Sequence, residues 1–196
     1  MRGFAMQATL PSVFEVIRAR RSLAAGYLDK PVEREKLEQI LEAAHWAPSH
    51  GRTEPWRWVV FEGEARRRLG EAFAESYARS FSGPDFRPER YKAQLERVWE
   101  APVWIGLGLE PSGRFPEWEE VAAVACAVQN AWLAATALGL AGFWTSGRPV
   151  VHEHTARVCG LTPPARLLGF LYLGYPAGPL PQGARGDWQR KVVWNP

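Results

Sequence analysis

Along the chain, Leu37, Ile40, Leu41 and Ala44 recur at i, i+3, i+4 and i+7, while Glu33, Arg34, Glu35, Lys36 and Glu38 fall largely on the opposite side. That period predicts an amphipathic helix, stopped near Ala47 by Pro48. Ser12 followed by Glu15 is a capping-box pattern and opens an earlier helix with Val13, Val16 and Ile17 on one face. Leu69, Phe73, Tyr77 and Phe81 predict a third helix, broken at residues 82–85, and residues 88–100 a charged fourth. Short apolar runs read as strands at residues 58–61, buried on both faces, and at 102–109, 143–145 and 167–173. Pro149 opens a helix that closes at Gly160, and residues 191–194 could add a last strand.

The segment 117–138 departs from these patterns. From Val121 to Leu138 the polar residues are Gln129, Asn130 and Thr136, and eight positions are alanine. Two central amides are costly in lipid, and no second span exists, so the run is not a membrane helix. An all-round apolar helix belongs at the centre of a domain. Its alanines let another backbone come close, as at a subunit interface. Helices and strands mix without regular βαβ alternation, so the fold class is α+β, with a central four- to five-stranded sheet flanked by helices. The expectation is one domain over residues 12–196 behind an extension at 1–11.

Composition changes this picture little. With 196 residues, 46% hydrophobic and 23% charged, the chain can bury a substantial core. A net charge of +3 suits a small anionic ligand and is far from a nucleic-acid tail. The ten tryptophans are scattered through helices and strands, not set beside a basic stripe, which argues against a single-strand binder. Cys126 and Cys159 lack metal-type spacing and are expected as buried thiols, Cys126 inert among alanines. His152 and His154 point to different sides of a helix and make no metal site. The N-terminus resembles neither a signal peptide nor an anchor, so a cytoplasmic location is expected.

Three segments carry candidate chemistry. Arg20, Arg21 and Ser22 follow the first helix, where the arginines either meet the helix dipole or form a phosphate clamp of planar donor forks beside a hydroxyl. Residues 47–56 form a loop stiffened by Pro48 and Pro55, in which His50 can donate to a ribityl or phosphate oxygen or cap the preceding helix. In residues 142–147, Trp144 offers a flat face and Thr145 and Ser146 offer donors between two glycines, or the segment is a strand ending in a plain turn.

Taken in order, Arg-Arg-Ser after a helix, Ala-Pro-Ser-His…Pro-Trp, Ala-Leu-Gly-Leu-Ala-Gly-Phe-Trp-Thr-Ser-Gly and Leu-Gly-Phe-Leu-Tyr-Leu-Gly-Tyr-Pro resemble the nitroreductase family over about residues 12–178, and most of all its compact bacterial NAD(P)H nitroreductases. The resemblance implies a nitroreductase-like fold, with a C-terminal strand that could pass to a second subunit. It implies a homodimer with FMN at the interface, and ping-pong hydride transfer from NADH or NADPH through FMN to a small organic acceptor. The alternative is an FMN-binding module without significant reductase activity. By the same resemblance, Arg20, Arg21 and Ser22 match the phosphate- and ribityl-binding segment. Trp46 and His50 match positions that reach the flavin from the other subunit, and Trp144, Thr145 and Ser146 the strand end beside it. Ala134, Ala135, Thr136, Ala137, Leu138 and Gly139 fall where a nicotinamide-nucleotide segment is assigned. A C-terminal arginine on the phosphate would be Arg185 or Arg190. The chain departs from the pattern at Ala24, where many relatives carry Arg, and at residues 49–52, where many carry Asn. No catalytic acid–base residue and no metal is implied.

Overall fold

The first helix, α1 (Val13–Ala19), begins as its capping box requires. The Ser12 N–H donates to Glu15 Oε2 at 2.7 Å, and the Glu15 N–H donates to Ser12 Oγ at 3.4 Å. This computed structural model describes residues 12–195; the extension at 1–11 lies outside them. In α1 Val16 alone is buried, while Val13, Phe14 and Ile17 are 59%, 67% and 49% exposed, so its apolar face is mostly uncovered within one chain.

The second helix, α2 (Arg34–His45), buries Leu37, Ile40 and Ala44 as the periodicity predicts. Next come β1 (Trp56–Glu62), α3 (Ala65–Ser80), α4 (Pro88–Glu96) and β2 (Val103–Leu109). Pro88 occupies the first turn of α4, where its missing N–H costs nothing. After them come the long α5 (Glu117–Ala137), β3 (Ala141–Thr145), the short α6 (Glu153–Val158) and β4 (Arg166–Gly174). The helix expected from Pro149 thus begins later, at Glu153; residues 148–150 are a turn in which Val150 N–H donates to Gly147 O at 2.8 Å.

The sheet runs in the order β1-β2-β4-β3 with every pairing antiparallel. The central strand β2 is buried along its whole length. Its alternate side chains feed two cores: Val103, Ile105, Leu107 and Leu109 pack with α2 and α5, whereas Trp104 joins Phe73, Phe170 and Tyr172 beneath α3. The architecture is therefore α+β, with a helix layer on each face of the sheet.

Three further expectations change. First, β1 is an edge strand with β2 as its one neighbour; Arg57 is exposed and residues 58–60 are half-buried, so it is not covered on both faces. Second, residues 191–194 form no strand in this chain. A 3-10 turn spans Gln189–Lys191, and Val193 and Trp194 are 83% and 80% exposed, paired with no strand among the described residues. Third, α5 is not buried all round. Trp118, Ala122, Cys126 and Gln129 lie exposed on one stripe at helical spacing, so Cys126 is an exposed thiol; Cys159 is the buried one. Among the described residues, no helix is long and apolar enough to cross a membrane.

Candidate cofactor site

Where α1 ends, the chain turns toward the sheet edge. Ser22 bridges Gly142 in parallel, and the Leu23 N–H donates to Gly142 O at 3.0 Å. This fixes Arg20, Arg21 and Ser22 beside the start of β3. The Arg20 guanidinium lies over the Trp132 ring of α5, 4.4 Å from its centroid, and Nη1 is 3.5 Å from Ser22 Oγ. Arg21 turns toward the C-terminal tail. Its Nε donates to Pro181 O at 2.8 Å, and its Nη1 donates to Arg18 O at 2.6 Å and Arg20 O at 2.8 Å. The tail closes down on that group: a Cβ at Gly183 would lie 2.4 Å from Arg21 Cζ.

Together these elements enclose a cavity of about 730 Å³, within the size range of small-ligand sites. Arg18, Arg20, Arg21 and Arg185 line it with Ser22, Gln129 and Trp132, and no carboxylate is among the lining residues. None of these four arginines has an ion-pair partner among the described residues. Burial, and then repulsion from Arg185 and Arg21, hold the Arg20 pKa below its ordinary value. Like charges gathered in one cavity repel one another, and an anion relieves that repulsion while using the donor forks. The Trp132 indole N–H is also buried and has no partner among the described residues. The donor set therefore fits a phosphate-bearing group.

The other sequence-selected residues are placed apart from this cavity. Trp144 packs on the α2–α5 core with its Nε1 buried and unpartnered. Thr145 is buried, and its Oγ1 accepts from Arg97 Nη2 at 3.2 Å; Ser146 is exposed just past the strand. Gly142 joins this strand to the cavity, since a Cβ there would sit 3.2 Å from Trp132 Nε1. Ala135 is fully buried, Ala134 and Leu138 pack against the same core, and Ala137 is half-buried. The Thr136 hydroxyl donates to Trp132 O at 2.8 Å. Gly139, at φ +80°, is the exposed residue of this segment and ends the helix.

Trp46 is 79% exposed at the end of α2. His50 does not cap that helix. Its Nδ1 is 2.5 Å from Glu119 Oε2, and its ring stacks on Phe115 at 3.8 Å. It opens onto a second cavity, of about 430 Å³, against Trp118 and Cys126. Within one chain, the arginine cavity and the His50 cavity thus lie at successive points along the exposed stripe of α5.

Two cavity residues escaped the sequence reading. Gln129 stood out there as a rare amide, and Trp132, three residues on, shares its side of the helix. Of the two tail arginines, Arg185 lines the cavity, whereas Arg190 approaches Asp187 at 3.6 Å.

The model of the Nitroreductase family matches residues 17–175. The chain belongs to that family. YdjA of Escherichia coli strain K12, which carries an NAD(P)H nitroreductase name, is 34% identical over 169 residues, 83% of this chain and 87% of YdjA. The crystal structure of a nitroreductase-like family protein from Bacillus cereus superposes with a TM-score of 0.84 at 30% identity, covering 96% of this chain and 98% of that one. The crystal structure of a nitroreductase with bound FMN from Bacteroides fragilis NCTC 9343 gives a TM-score of 0.72 at 25% identity, covering 94% and 100%.

Proposed function

We propose that this nitroreductase-family chain is an FMN-dependent NAD(P)H oxidoreductase that works as a homodimer and reduces a small organic acceptor. The observation that carries the reading is the cavity at the start of β3 lined by four arginines that have no ion-pair partner among the described residues. Arg20 and Arg185, with the Ser22 hydroxyl and the Trp132 indole N–H, would hold the flavin phosphate. Arg21 has three of its donor contacts committed to backbone carbonyls, so its part is to hold the tail, and with it Arg185, over the cavity. Trp144, Thr145 and Ser146 would border the ring system. Of residues 134–139, the turn at Gly139 is the part open to a nucleotide.

Bound FMN supplies the hydride-transfer chemistry; the protein's share is binding, orientation and exclusion of water. Donor and acceptor would use one site in turn, a ping-pong order, and neither needs a side chain as acid or base. A homodimer is supported by the uncovered apolar residues of α1, by Trp118 of α5, by Trp46, and by Trp188 and Trp194 of the tail. Trp46 and His50 then act on the partner's cofactor. Residues 12–196 are read as one functional unit, and a reducing, cytoplasmic setting suits its two thiols.

Purified protein should be yellow, or become so with added FMN, and NADH or NADPH should bleach the flavin band. Failure to take up FMN would sink the proposal. A yellow protein that neither nucleotide bleaches would establish the binding-module alternative.

A further inference from the structure

A second group of guanidiniums lies at the opposite end of β3. Arg148 follows Ser146 by two residues, and Arg87 and Arg90 stand at the start of α4. Together with Phe81 and Asp85 they line a cavity of about 440 Å³. The Arg148 guanidinium lies over Phe81, 5.4 Å from the ring centroid. Phe81 in turn packs on Tyr77 at 4.9 Å, so the floor is aromatic.

The corner is fixed in place. The Arg87 N–H donates to the Tyr77 hydroxyl at 3.0 Å, which ties the start of α4 to α3. Past the other end of α4, Arg97 Nη2 reaches Thr145 Oγ1 at 3.2 Å, which ties that segment to the end of β3. Asp85 is the one acid in the wall, and none of the three arginines has an ion pair among the described residues.

The two arginine groups therefore bracket β3. From Gly142 to Arg148 an extended chain covers at most roughly 20 Å. The proposed reaction brings two phosphate-bearing molecules to this strand, and the Arg20 cavity accounts for one of them. NADPH differs from NADH by a 2′-phosphate at the adenosine end, remote from the reacting nicotinamide, and a phosphomonoester carries close to two negative charges at neutral pH. Arg90 and Arg148 stand there with Arg87, whose Nη1 is held by Pro84 O and by Phe86 O at 3.4 Å while its other donors remain, and three guanidiniums beside a single carboxylate over an aromatic floor match that group.

We propose that Arg87, Arg90 and Arg148 bind the 2′-phosphate of NADPH, so that the chain prefers NADPH to NADH. This rests on the nicotinamide-dependent reading above. Calorimetric titration of the purified protein with adenosine 2′,5′-bisphosphate and with adenosine 5′-phosphate tests the site without any turnover. The bisphosphate should bind about tenfold tighter or more, the scale of one charge-assisted hydrogen bond. The advantage should shrink with added salt and disappear in Arg90→Ala and Arg148→Ala variants whose melting curves match the parent's. In steady-state kinetics the same variants should raise the KM for NADPH about tenfold relative to the KM for NADH. Equal affinities for the two adenosine phosphates, or parallel KM changes for the two nucleotides, overturn the proposal. If the protein takes up no FMN the flavoenzyme reading fails, and the calorimetry still decides the phosphate site on its own.

Discussion

Arg20, Arg21 and Arg185 carry the same charge and enter the same cavity, yet their contacts assign them different work. Arg20 and Arg185 line the cavity, each with one recorded hydrogen bond, Arg20 to Ser22 Oγ at 3.5 Å and Arg185 to Ala184 O at 2.7 Å, so replacing either by Ala should weaken FMN binding at least about tenfold, the loss of one charge-assisted hydrogen bond. Flavin fluorescence titration reads this directly, and unchanged affinity in both variants would remove the phosphate assignment. Arg21→Ala should behave differently. It breaks the bond to Pro181 O and the packing against Gly183, so the tail should become sensitive to protease before the core does, with FMN affinity falling as Arg185 loses its anchor. A variant that loses FMN while its tail stays protected would make Arg21 a direct ligand instead. The sequence could indicate Arg20, Arg21 and Ser22, because two arginines and a serine after a capped helix are a local pattern. It could not indicate which tail arginine joins them, since that depends on a contact between residues about 160 positions apart. Trp132 was hidden for the opposite reason: in an apolar helix a tryptophan reads as core, and its unpartnered N–H appears only once its surroundings are known.

At the scale of elements, helices were legible wherever apolar residues kept a 3.6-residue period beside charged ones, as in α2. In α5, alanines erase the contrast on which that reading depends, and the stripe bearing Trp118 and Cys126 emerged only from its packing. Strand positions were legible, but sheet order was not, because whether residues 58–60 are covered depends on what lies beyond β1. The junction between α2 and the chain after β4 gives a test that isolates one contact. Lys36 Nζ donates to the Tyr175 hydroxyl at 2.6 Å, and that hydroxyl donates to Glu33. The Tyr175 bond, assisted by the Glu33 N–H and by Lys36 and Lys30, holds the Glu33 carboxyl down at about 2 against an ordinary 4.5. A depressed carboxylate stabilises the fold fully above the ordinary value, and its contribution is lost as pH falls through the depressed one. Glu33→Gln should therefore melt lower than the parent at neutral pH, with the gap closing between about 4.5 and about 2. A gap independent of pH would show that the carboxylate charge is not what the contact uses. A second element test concerns α3 and α4: a Cβ at Gly70 would lie 2.6 Å from Leu95 O. Gly70→Ala should cost roughly 1–3 kcal/mol by forcing the helices apart, and chemical denaturation measures it.

For the whole molecule, the uncovered surface is the feature that one chain leaves unexplained. Val13, Phe14, Ile17, Trp118 and Trp46 are large apolar groups facing water, and large exposed apolar patches mark interaction surfaces. In the proposed homodimer a second copy would cover them, together with His50, whose cavity opens on the same helix as the arginine cavity without joining it. Cys126 lies on that stripe and reports on it. Burial raises the Cys159 thiol to about 12, so at pH 8 it should stay unreactive until the protein unfolds. Cys126 is exposed in one chain, so its alkylation rate should fall as protein concentration rises and dimers cover the stripe. Phe14→Glu and Trp118→Glu should shift sedimentation toward monomer, restore fast alkylation of Cys126 at every concentration, and lower flavin affinity in step, since Trp46 and His50 would no longer reach the partner's cofactor. Flavin affinity that survives in a demonstrated monomer would separate the two halves of the proposal: the arginine cavity would then hold FMN unaided, and the apolar stripe would serve assembly without serving the site.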